Sequence, residues 1–183
     1  MPTLYSQRLT YRKLLLSDME DLYSFAHLEQ VTRYLSWSPH PDLFYTKDYL
    51  EYVGEQYAVG AFFDWGLAVP CPGKRNGKII GTCGFTRFNF AHDSGEIGYV
   101  LHPDYWGQGL ATEALKRMIE FGFQDLQLHR LECRFMDENT ASRRVAEKCG
   151  MKFEGWMRDA LFVKGEYRTI GICSLLSEDI YPL

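Results

Sequence analysis

Residues 95–114, GEIGYVLHPDYWGQGLATEA, contain the spacing in this chain that most clearly suggests chemistry. Gly107 and Gly109 form a Gly-x-Gly turn between a predicted buried strand and a predicted amphipathic helix. The first turn of a helix leaves backbone N–H groups without partners at the positive end of the helix dipole, and these groups suit a phosphate or pyrophosphate. The run therefore predicts a site for a phosphate-bearing ligand, with a purely structural tight turn as the alternative.

The glycine turn departs from the two commonest phosphate-binding patterns. A dinucleotide-binding turn carries a third glycine, where this chain has Thr112, and it belongs to an alternation of strands and helices that the sequence does not show. The P-loop pattern G-x-x-x-x-G-K-[S/T] does not occur in the sequence. Both classes of nucleotide site are therefore disfavoured.

Glu96 is the second candidate, because it is a carboxylate within an otherwise apolar predicted strand. Its strand neighbours are Ile97, Tyr99, Val100 and Leu101. An ion-paired or edge-exposed glutamate is one interpretation. The other is a general base, a role for which a glutamate is weak unless its surroundings strengthen it.

Length and composition fit an ordinary globular protein. The chain has 183 residues, of which 46% are hydrophobic and 24% charged, so we expect a single domain over residues 1–183 with one sizeable core. The formal net charge of −4 disfavours binding to nucleic acid, which needs a basic surface. A small cationic substrate stays compatible with that charge.

Cysteines and histidines give no sign of a metal site or a disulfide framework. The five cysteines are scattered, odd in number and never in a C-x-x-C pair, and the five histidines are dispersed. The N-terminal segment lacks the apolar region of a signal peptide, and no apolar stretch is long enough to span a bilayer. We therefore expect a cytoplasmic protein with neither a metal nor a membrane partner.

The elements around the candidate residues predict a mixed α+β fold. Helices are expected from about residue 17, over residues 46–57, from residue 110 and from residue 140. Strands are expected near residues 8–14, 62–69, 78–88, 96–101, 131–136, 153–163 and 167–176, with residues 70–78 as a connecting loop. The prediction is a mostly antiparallel central sheet of about six to seven strands, flanked by helices, with one central β–turn–α–β unit.

Several segments of the chain resemble, in order, the GNAT N-acetyltransferases of the RimJ/RimL ribosomal-protein branch. YWGQGLATEAL resembles motif A of that family, GEIGYVL its fourth strand, and DENTASRRVAEKCGMKFEG its second cofactor motif. SQRLTYRKLLLSDMEDL, RYLSWSP and NGKIIGTCGF resemble the opening strand and helix, the helix-to-loop segment and the third strand. The resemblance covers nearly the whole chain, and several ordered motifs are far more specific than one glycine turn.

The resemblance implies acetyl-CoA as the co-substrate. Its pyrophosphate is expected on the backbone amides of the motif A turn, here Trp106, Gly107, Gln108, Gly109, Leu110 and Ala111. Asp104 stands where the family commonly has Gln or Arg, but the amides supply most of the contact. A backbone N–H near Tyr99, Val100 and Leu101 is implied to polarise the acetyl carbonyl, and Asn139 to contact the pantetheine arm.

The resemblance also implies catalytic roles. Glu96 would take the proton of the amine directly or through water, and the Ser142 hydroxyl would assist the departing CoA thiolate. Asn139 and Ser142 equally fit the N-cap and first turn of a helix, and both interpretations can hold together. Trp37 lies where the family places a substrate-facing loop, with a surface loop pinned by prolines as the alternative.

These observations predict an N-acetyltransferase that moves acetyl from acetyl-CoA to a primary amine by direct attack in a ternary complex. A protein N-terminal α-amine, such as that of a ribosomal protein, is the leading substrate. Deprotonating it at pH 7 costs about 1.4 kcal/mol, against about 4.6 kcal/mol for lysine. A polyamine, antibiotic or amino acid is the nearest alternative, and a CoA-binding domain without turnover is another. The branch is often dimeric, so a homodimer is a further expectation.

Overall fold

A computed structural model describes residues 1–61 and 63–180. In this part of the chain eight strands form one sheet in the order β1-β2-β3-β4-β5-β6-β8-β7. The strands are β1 (Leu4–Tyr5), β2 (Thr10–Arg12), β3 (Phe63–Cys71), β4 (Lys74–Asn89), β5 (Ser94–Leu101), β6 (Arg130–Met136), β7 (Lys152–Val163) and β8 (Glu166–Leu176).

The helices follow the apolar periodicity of the sequence. They are α1 (Met19–Ala26), α2 (Glu29–Thr32), α3 (Leu43–Val59), α4 (Leu110–Gln124), α5 (Thr140–Lys148) and α6 (Ser177–Ile180). In α4, Ala114, Leu115 and Met118 recur at helical spacing and are fully buried, as an amphipathic stripe requires. The helix predicted from about residue 17 begins with a 3₁₀ turn, Leu16–Asp18, which leads into α1.

Strand pairing confirms the mixed, mostly antiparallel sheet. β1 pairs antiparallel with β2, β2 with β3, β6 with β8, and β8 with β7. β5 and β6 are parallel, in a register that aligns Ser94 with Arg130 and Glu96 with Glu132. A parallel pair needs a crossover, and α4 provides it, so the central β–turn–α–β unit is present as predicted.

Two differences from the prediction concern the first half of the sheet. The strand expected near residues 8–14 is shorter, and the additional strand β1 precedes it, which helps to raise the number of strands to eight. Residues 70–78 are mostly strand, because β3 and β4 are joined by the two-residue turn Pro72-Gly73 alone. Lys74, Arg75 and Asn76 are polar because this end of the hairpin is exposed. Phe62, where the sequence prediction starts β3, lies outside the described residues.

The chain divides into two compact units. The first comprises Met1–Gly84 and Tyr99–Ala114, and its buried residues include Leu22, Phe25, Val53, Ala68 and Ile79. The second comprises Phe85–Gly98 and the chain from Leu115 onward, and its buried residues include Leu115, Met118, Leu131, Cys133 and Cys173. The prediction of a single domain stays a prediction.

Candidate functional site

The glycine turn takes the backbone conformation that its sequence indicates. After β5 ends at Leu101, a 3₁₀ turn spans Pro103–Tyr105, and Gly107 and Gly109 follow with φ of 72° and 78°. Residues with a Cβ rarely adopt this left-handed region because of steric clashes, so glycine is favoured at both positions. α4 then starts at Leu110.

The start of α4 fits the phosphate of a bound ligand. In the described part of the chain, no hydrogen bond occupies the backbone N–H groups of Gly109 and Leu110. A Cβ added at Gly107 would meet nothing within 4 Å, so the turn faces open space. The Asp104 side chain is 81% exposed, which leaves it free to point into water. Donors and space together are what an anionic group such as phosphate needs at a helix start.

Arg8 holds the glycine turn and the first turn of α4 together. Its Nη1 donates to the Gln108 carbonyl at 2.9 Å, while its Nε and backbone N–H donate to the two carboxylate oxygens of Glu113, each at 2.7 Å. The Ser6 hydroxyl donates to Glu113 at 2.7 Å. Although burial opposes it, these hydrogen bonds from Ser6 and Arg8 hold the pKa of Glu113 below its usual value.

A cleft of about 440 Å³ opens beside this clamp. It is lined by Gln7, Arg8, Val69, Pro70, Tyr105, Gln108 and Leu110. Arg8 therefore contacts both the turn and the open space next to it.

The end of β5 is fixed by close backbone packing. The Trp106 indole N–H donates to the Leu101 carbonyl at 2.8 Å, although 48% of Trp106 is exposed. A Cβ at Gly81 would collide with the Val100 carbonyl and approach the Leu101 side chain to 2.7 Å. Tyr99 and Val100 are half-buried and Leu101 is buried, so this strand end is held firmly.

Glu96 lies on β5 with its carboxylate partly open to solvent. Its side chain is 22% exposed, Oε1 accepts a hydrogen bond from the Thr86 hydroxyl at 3.1 Å, and Oε2 lies 3.4 Å from Nε of Arg134. The ion pair that one of the two sequence interpretations predicts for Glu96 is thus present. It leaves part of the carboxylate accessible, so a proton acceptor at this position is compatible with the geometry.

Glu96 is the end of a chain of charges that we call the β6 ladder, made of Glu96, Arg134, Glu132, Arg130 and Glu154. Arg134 donates to Glu132 at 3.2 and 3.1 Å, and Arg130 donates to the other oxygen of Glu132 at 2.8 Å. Arg130 also forms two hydrogen bonds with Glu154, at 2.8 and 2.5 Å. The Arg130 hydrogen bonds lower the pKa of Glu154 to about 2, and although burial opposes it, both arginines lower that of Glu132.

Asn139 and Ser142 begin α5 as the capping interpretation predicts. The Asn139 side-chain oxygen accepts a hydrogen bond from the Ser142 backbone N–H at 3.1 Å. Ser142 is half-buried, and within the described chain its hydroxyl has no hydrogen-bond partner. The cap is therefore confirmed, while the hydroxyl keeps its hydrogen for another acceptor.

Comparison with known proteins places the chain in a family. Residues 8–152 match the family model described as an acetyltransferase (GNAT) domain. The chain belongs to the GNAT acetyltransferases. It is 32% identical over 179 residues to the uncharacterized N-acetyltransferase p20 of Bacillus licheniformis, covering 98% of both chains. It is 27% identical over 170 residues to the spermidine N(1)-acetyltransferase of Escherichia coli strain K12, covering 92% of this chain and 85% of that one.

The fold of this GNAT protein recurs in solved structures. One is RimL, the ribosomal L7/L12 α-N-protein acetyltransferase in complex with coenzyme A, with a TM-score of 0.79, 18% identity, and coverage of 96% of this chain and 98% of that one. The predicted fold class and the predicted enzyme class, an acetyl-CoA-dependent acyltransferase, are confirmed. The substrate is not decided by family membership, because the relatives include enzymes named for different amines.

The predicted site residues of this acetyltransferase fall in both units. Trp37, residues 99–101 and the glycine turn belong to the first unit, whereas Glu96, Asn139 and Ser142 belong to the second. Of these, the structure joins Asn139 to Ser142 and Trp106 to Leu101 by hydrogen bonds. Their catalytic and ligand-binding roles stay predictions.

Trp37 packs in a way that fits a pinned loop. It is half-buried against the core of the first unit, with its ring centroid 5.5 Å from that of His40. His40 is buried and hydrogen-bonded to the Thr46 hydroxyl at 2.8 Å, and its burial lowers its pKa. A contact with substrate through the exposed part of Trp37 stays a prediction.

Sequence reasoning missed Arg8, Glu132 and Arg134. The segment Arg-Leu-Glu-Cys-Arg alternates charge and apolarity from residue 130 to 134, and this period of two puts the three charged side chains on one strand face. This alternation is sufficient to predict that Arg130, Glu132 and Arg134 lie side by side. Arg8 offers no comparable local signal, since its partners lie at least 100 residues further along the chain.

The described residues form neither a membrane-spanning helix nor a metal cluster. None of the helices in residues 1–61 and 63–180 is long and apolar enough to cross a membrane. Over the same residues, no group of three or more His, Cys, Asp or Glu side chains is arranged to hold a metal ion.

Proposed function

We propose that this acetyltransferase acetylates a protein N-terminal α-amine by direct attack on acetyl-CoA in a ternary complex. The observation that carries the proposal is the partly exposed carboxylate of Glu96, held by Thr86 and Arg134 on the strand that leads into the glycine turn. Glu96 takes the proton of the attacking amine, directly or through a water molecule.

The remaining predicted residues bind and orient the co-substrate. The amides of residues 107–111 hold the pyrophosphate, whereas the N–H of Trp106 already donates to the Pro103 carbonyl at 2.9 Å. Asn139 contacts the pantetheine arm. Backbone N–H groups at residues 99–101 polarise the acetyl carbonyl, while Ser142 donates to the departing thiolate. In the part of the chain that the structure describes, the N–H groups of Gly109 and Leu110 have no partners, which supports the first role, and the hydroxyl of Ser142 has none, which supports the last.

The choice of an α-amine follows from the cost of deprotonation. At pH 7 this cost is about 1.4 kcal/mol for an α-amine and about 4.6 kcal/mol for a lysine amine, so a carboxylate base handles the first more easily. A small polyamine is the second candidate. It is favoured by the net charge of −4 and by the relative named for spermidine.

A turnover assay with defined amines tests the proposal. The purified chain is mixed with acetyl-CoA and one of three acceptors: a peptide with a free N-terminus and no lysine, an N-terminally blocked peptide with one lysine, or spermidine. Mass spectrometry locates the acetyl group. We expect the highest kcat/KM for the free N-terminus. A higher value for spermidine would replace the α-amine by the polyamine, and no transfer to any amine would leave only CoA binding.

The cytoplasmic location and the homodimer stay predictions of the sequence. Light scattering on a size-exclusion column tests the homodimer. Two chains of 21.3 kDa should give a mass of about 43 kDa.

A further inference from the structure

The three carboxylates of the β6 ladder differ in the number and length of the hydrogen bonds that they accept. Glu154 accepts two hydrogen bonds from Arg130 and a third, at 2.6 Å, from the Ser174 hydroxyl. Glu132 accepts from both arginines, at 2.8, 3.1 and 3.2 Å. Among residues 1–61 and 63–180, the Glu96 carboxylate has only the Thr86 hydroxyl at 3.1 Å and the more distant approach of Arg134 at 3.4 Å.

The charge of the ladder is also unbalanced. Three carboxylates and two guanidinium groups leave one net negative charge. Since Glu132 and Glu154 make the shorter contacts, this surplus charge is left at Glu96, the end of the ladder. The side chain of Glu132 is 19% exposed and that of Arg134 is 32% exposed, so water screens their attraction only in part.

Glu132 therefore determines how closely Arg134 approaches Glu96. The two glutamates are register partners on β5 and β6, and one guanidinium lies between their carboxylates. A guanidinium presents its donors in a rigid fork, so the bonds to Glu132 restrict the ones it can offer to Glu96.

We propose that Glu132 and Arg134 are positioning residues for Glu96, a role that rests on the proposed function of Glu96 as the base. Arg134 orients the Glu96 carboxylate, and Glu132 restrains Arg134 so that Glu96 is oriented without being fully paired. Loss of Arg134 and loss of Glu132 should both slow catalysis, but for different reasons. Without Arg134, Glu96 loses its orientation; without the charge of Glu132, Arg134 pairs fully with Glu96 and withdraws it from the amine.

The experiment measures kcat and the KM for acetyl-CoA in Glu132→Gln, Arg134→Gln and Arg134→Lys, each made with Glu96 intact and with Glu96→Gln. With Glu96 intact, we expect Glu132→Gln and Arg134→Gln to lower kcat by about tenfold to a hundredfold, as a small misplacement of a reacting group does. The KM for acetyl-CoA stays within about twofold, and Arg134→Lys recovers part of the loss because it keeps the charge. In the Glu96→Gln background neither substitution lowers kcat further, because the group that it positions is gone.

Arg168→Gln is the matched control. Arg168 is 29% exposed and pairs with Glu166 at 2.9 Å and, more distantly, with Glu138 at 3.9 Å, so its removal costs a comparable surface ion pair that does not include Glu96. We expect it to leave kcat unchanged. Kinetic losses that add to that of Glu96→Gln, or an Arg134→Gln variant as active as the control, would overturn the inference while leaving Glu96 as the base. Full turnover by Glu96→Gln alone would overturn both the proposed base and the inference built on it.

Discussion

The glycine turn and the β6 ladder present different kinds of chemical group, backbone N–H donors in the first and a side-chain carboxylate in the second. The turn offers backbone N–H groups, whose directions depend on the positive φ of Gly107 and Gly109 and on the clamp of Arg8 to Gln108. The ladder offers a side-chain carboxylate, whose direction depends on ion pairs along β6. A backbone site depends on conformation and tolerates many side chains, whereas a side-chain site depends on the identity of a few residues.

Because of this difference, we expect substitutions in the two regions to change different kinetic constants. Damage to the turn should weaken the binding of acetyl-CoA and appear in KM. Damage to the ladder should slow proton transfer and appear in kcat. Substitutions that mix the two effects would contradict the division.

Glu96→Gln gives the largest expected effect. It removes the proposed proton acceptor and keeps the side-chain size, so kcat should fall by about 10²- to 10⁴-fold, the usual contribution of a general base. The KM for acetyl-CoA should stay nearly unchanged. Steady-state kinetics at saturating amine measures both values.

Glu120→Gln is the control for that substitution. Glu120 lies on α4, is 56% exposed and pairs loosely with Arg117 at 3.6 Å, so its loss should leave the kinetics at wild-type values. Equal kcat in the two variants would remove Glu96 from the mechanism.

Gly109→Ala tests the turn by its conformation. Gly109 has φ of 78° and Gly73, in the β3–β4 turn, has φ of 80°, so alanine costs on the order of 1 kcal/mol of backbone strain at either site. Only Gly109→Ala should also turn an N–H group away from the pyrophosphate. Losing such a charged hydrogen bond costs roughly 1.5 kcal/mol or more, which raises the KM for acetyl-CoA about tenfold.

The comparison with Gly73→Ala separates binding from stability. Thermal unfolding should shift similarly in the two variants, while calorimetric titration with CoA should weaken only for Gly109→Ala. A similar loss of CoA affinity in both would show that strain in the fold, and not the turn, controls binding.

The two regions also differ in how far the sequence could predict them. The backbone conformation of the turn follows from Gly107, Gly109 and the amphipathic stripe of α4, because glycine conformation and helical periodicity are local properties. The Arg8 clamp does not follow from them. For Glu96, the sequence indicates only a carboxylate among apolar neighbours. Its partner Arg134 could be placed only once the parallel register of β5 and β6 was known.

The same distinction explains the errors in the sheet. The Pro, Asn and Gly residues of segment 70–78 predict a loop, but an exposed strand end carries the same residues, and only pairing with β3 separates the two cases. Asn139 shows the reverse, since a cap acts over three residues and was predicted correctly.

Arg8→Ala gives a smaller effect than the glycine substitution. It frees the Gln108 carbonyl and one oxygen of Glu113, while the other oxygen keeps its hydrogen bonds from Ser6 and from the backbone N–H of residue 8. The turn therefore becomes more mobile while its glycines stay in place. We expect the KM for acetyl-CoA to rise about threefold to tenfold, as loss of roughly 1 kcal/mol of positioning implies. Arg8→Lys should not restore it, because a lysine cannot donate to both acceptors with a fixed fork. A rise in KM for Arg8→Ala that Arg8→Lys reverses would mean that Arg8 acts by charge alone.

Glu154→Gln gives the smallest effect, and it concerns stability rather than turnover. The hydrogen bonds from Arg130 lower the pKa of Glu154 in the folded protein to about 2, below its unfolded value, so Glu154 stabilises the fold at neutral pH. That contribution is present above about pH 4.5 and is lost as the pH falls towards 2. Because the side chain is 43% exposed, the pair is screened, and we expect a Tm lower by on the order of 2 °C in the variant at pH 6. Thermal unfolding at pH 6 and pH 3 should show this gap shrinking with acid. A difference in Tm between the two proteins that stayed constant with pH would mean that Glu154 stabilises the fold by packing and not by its charge.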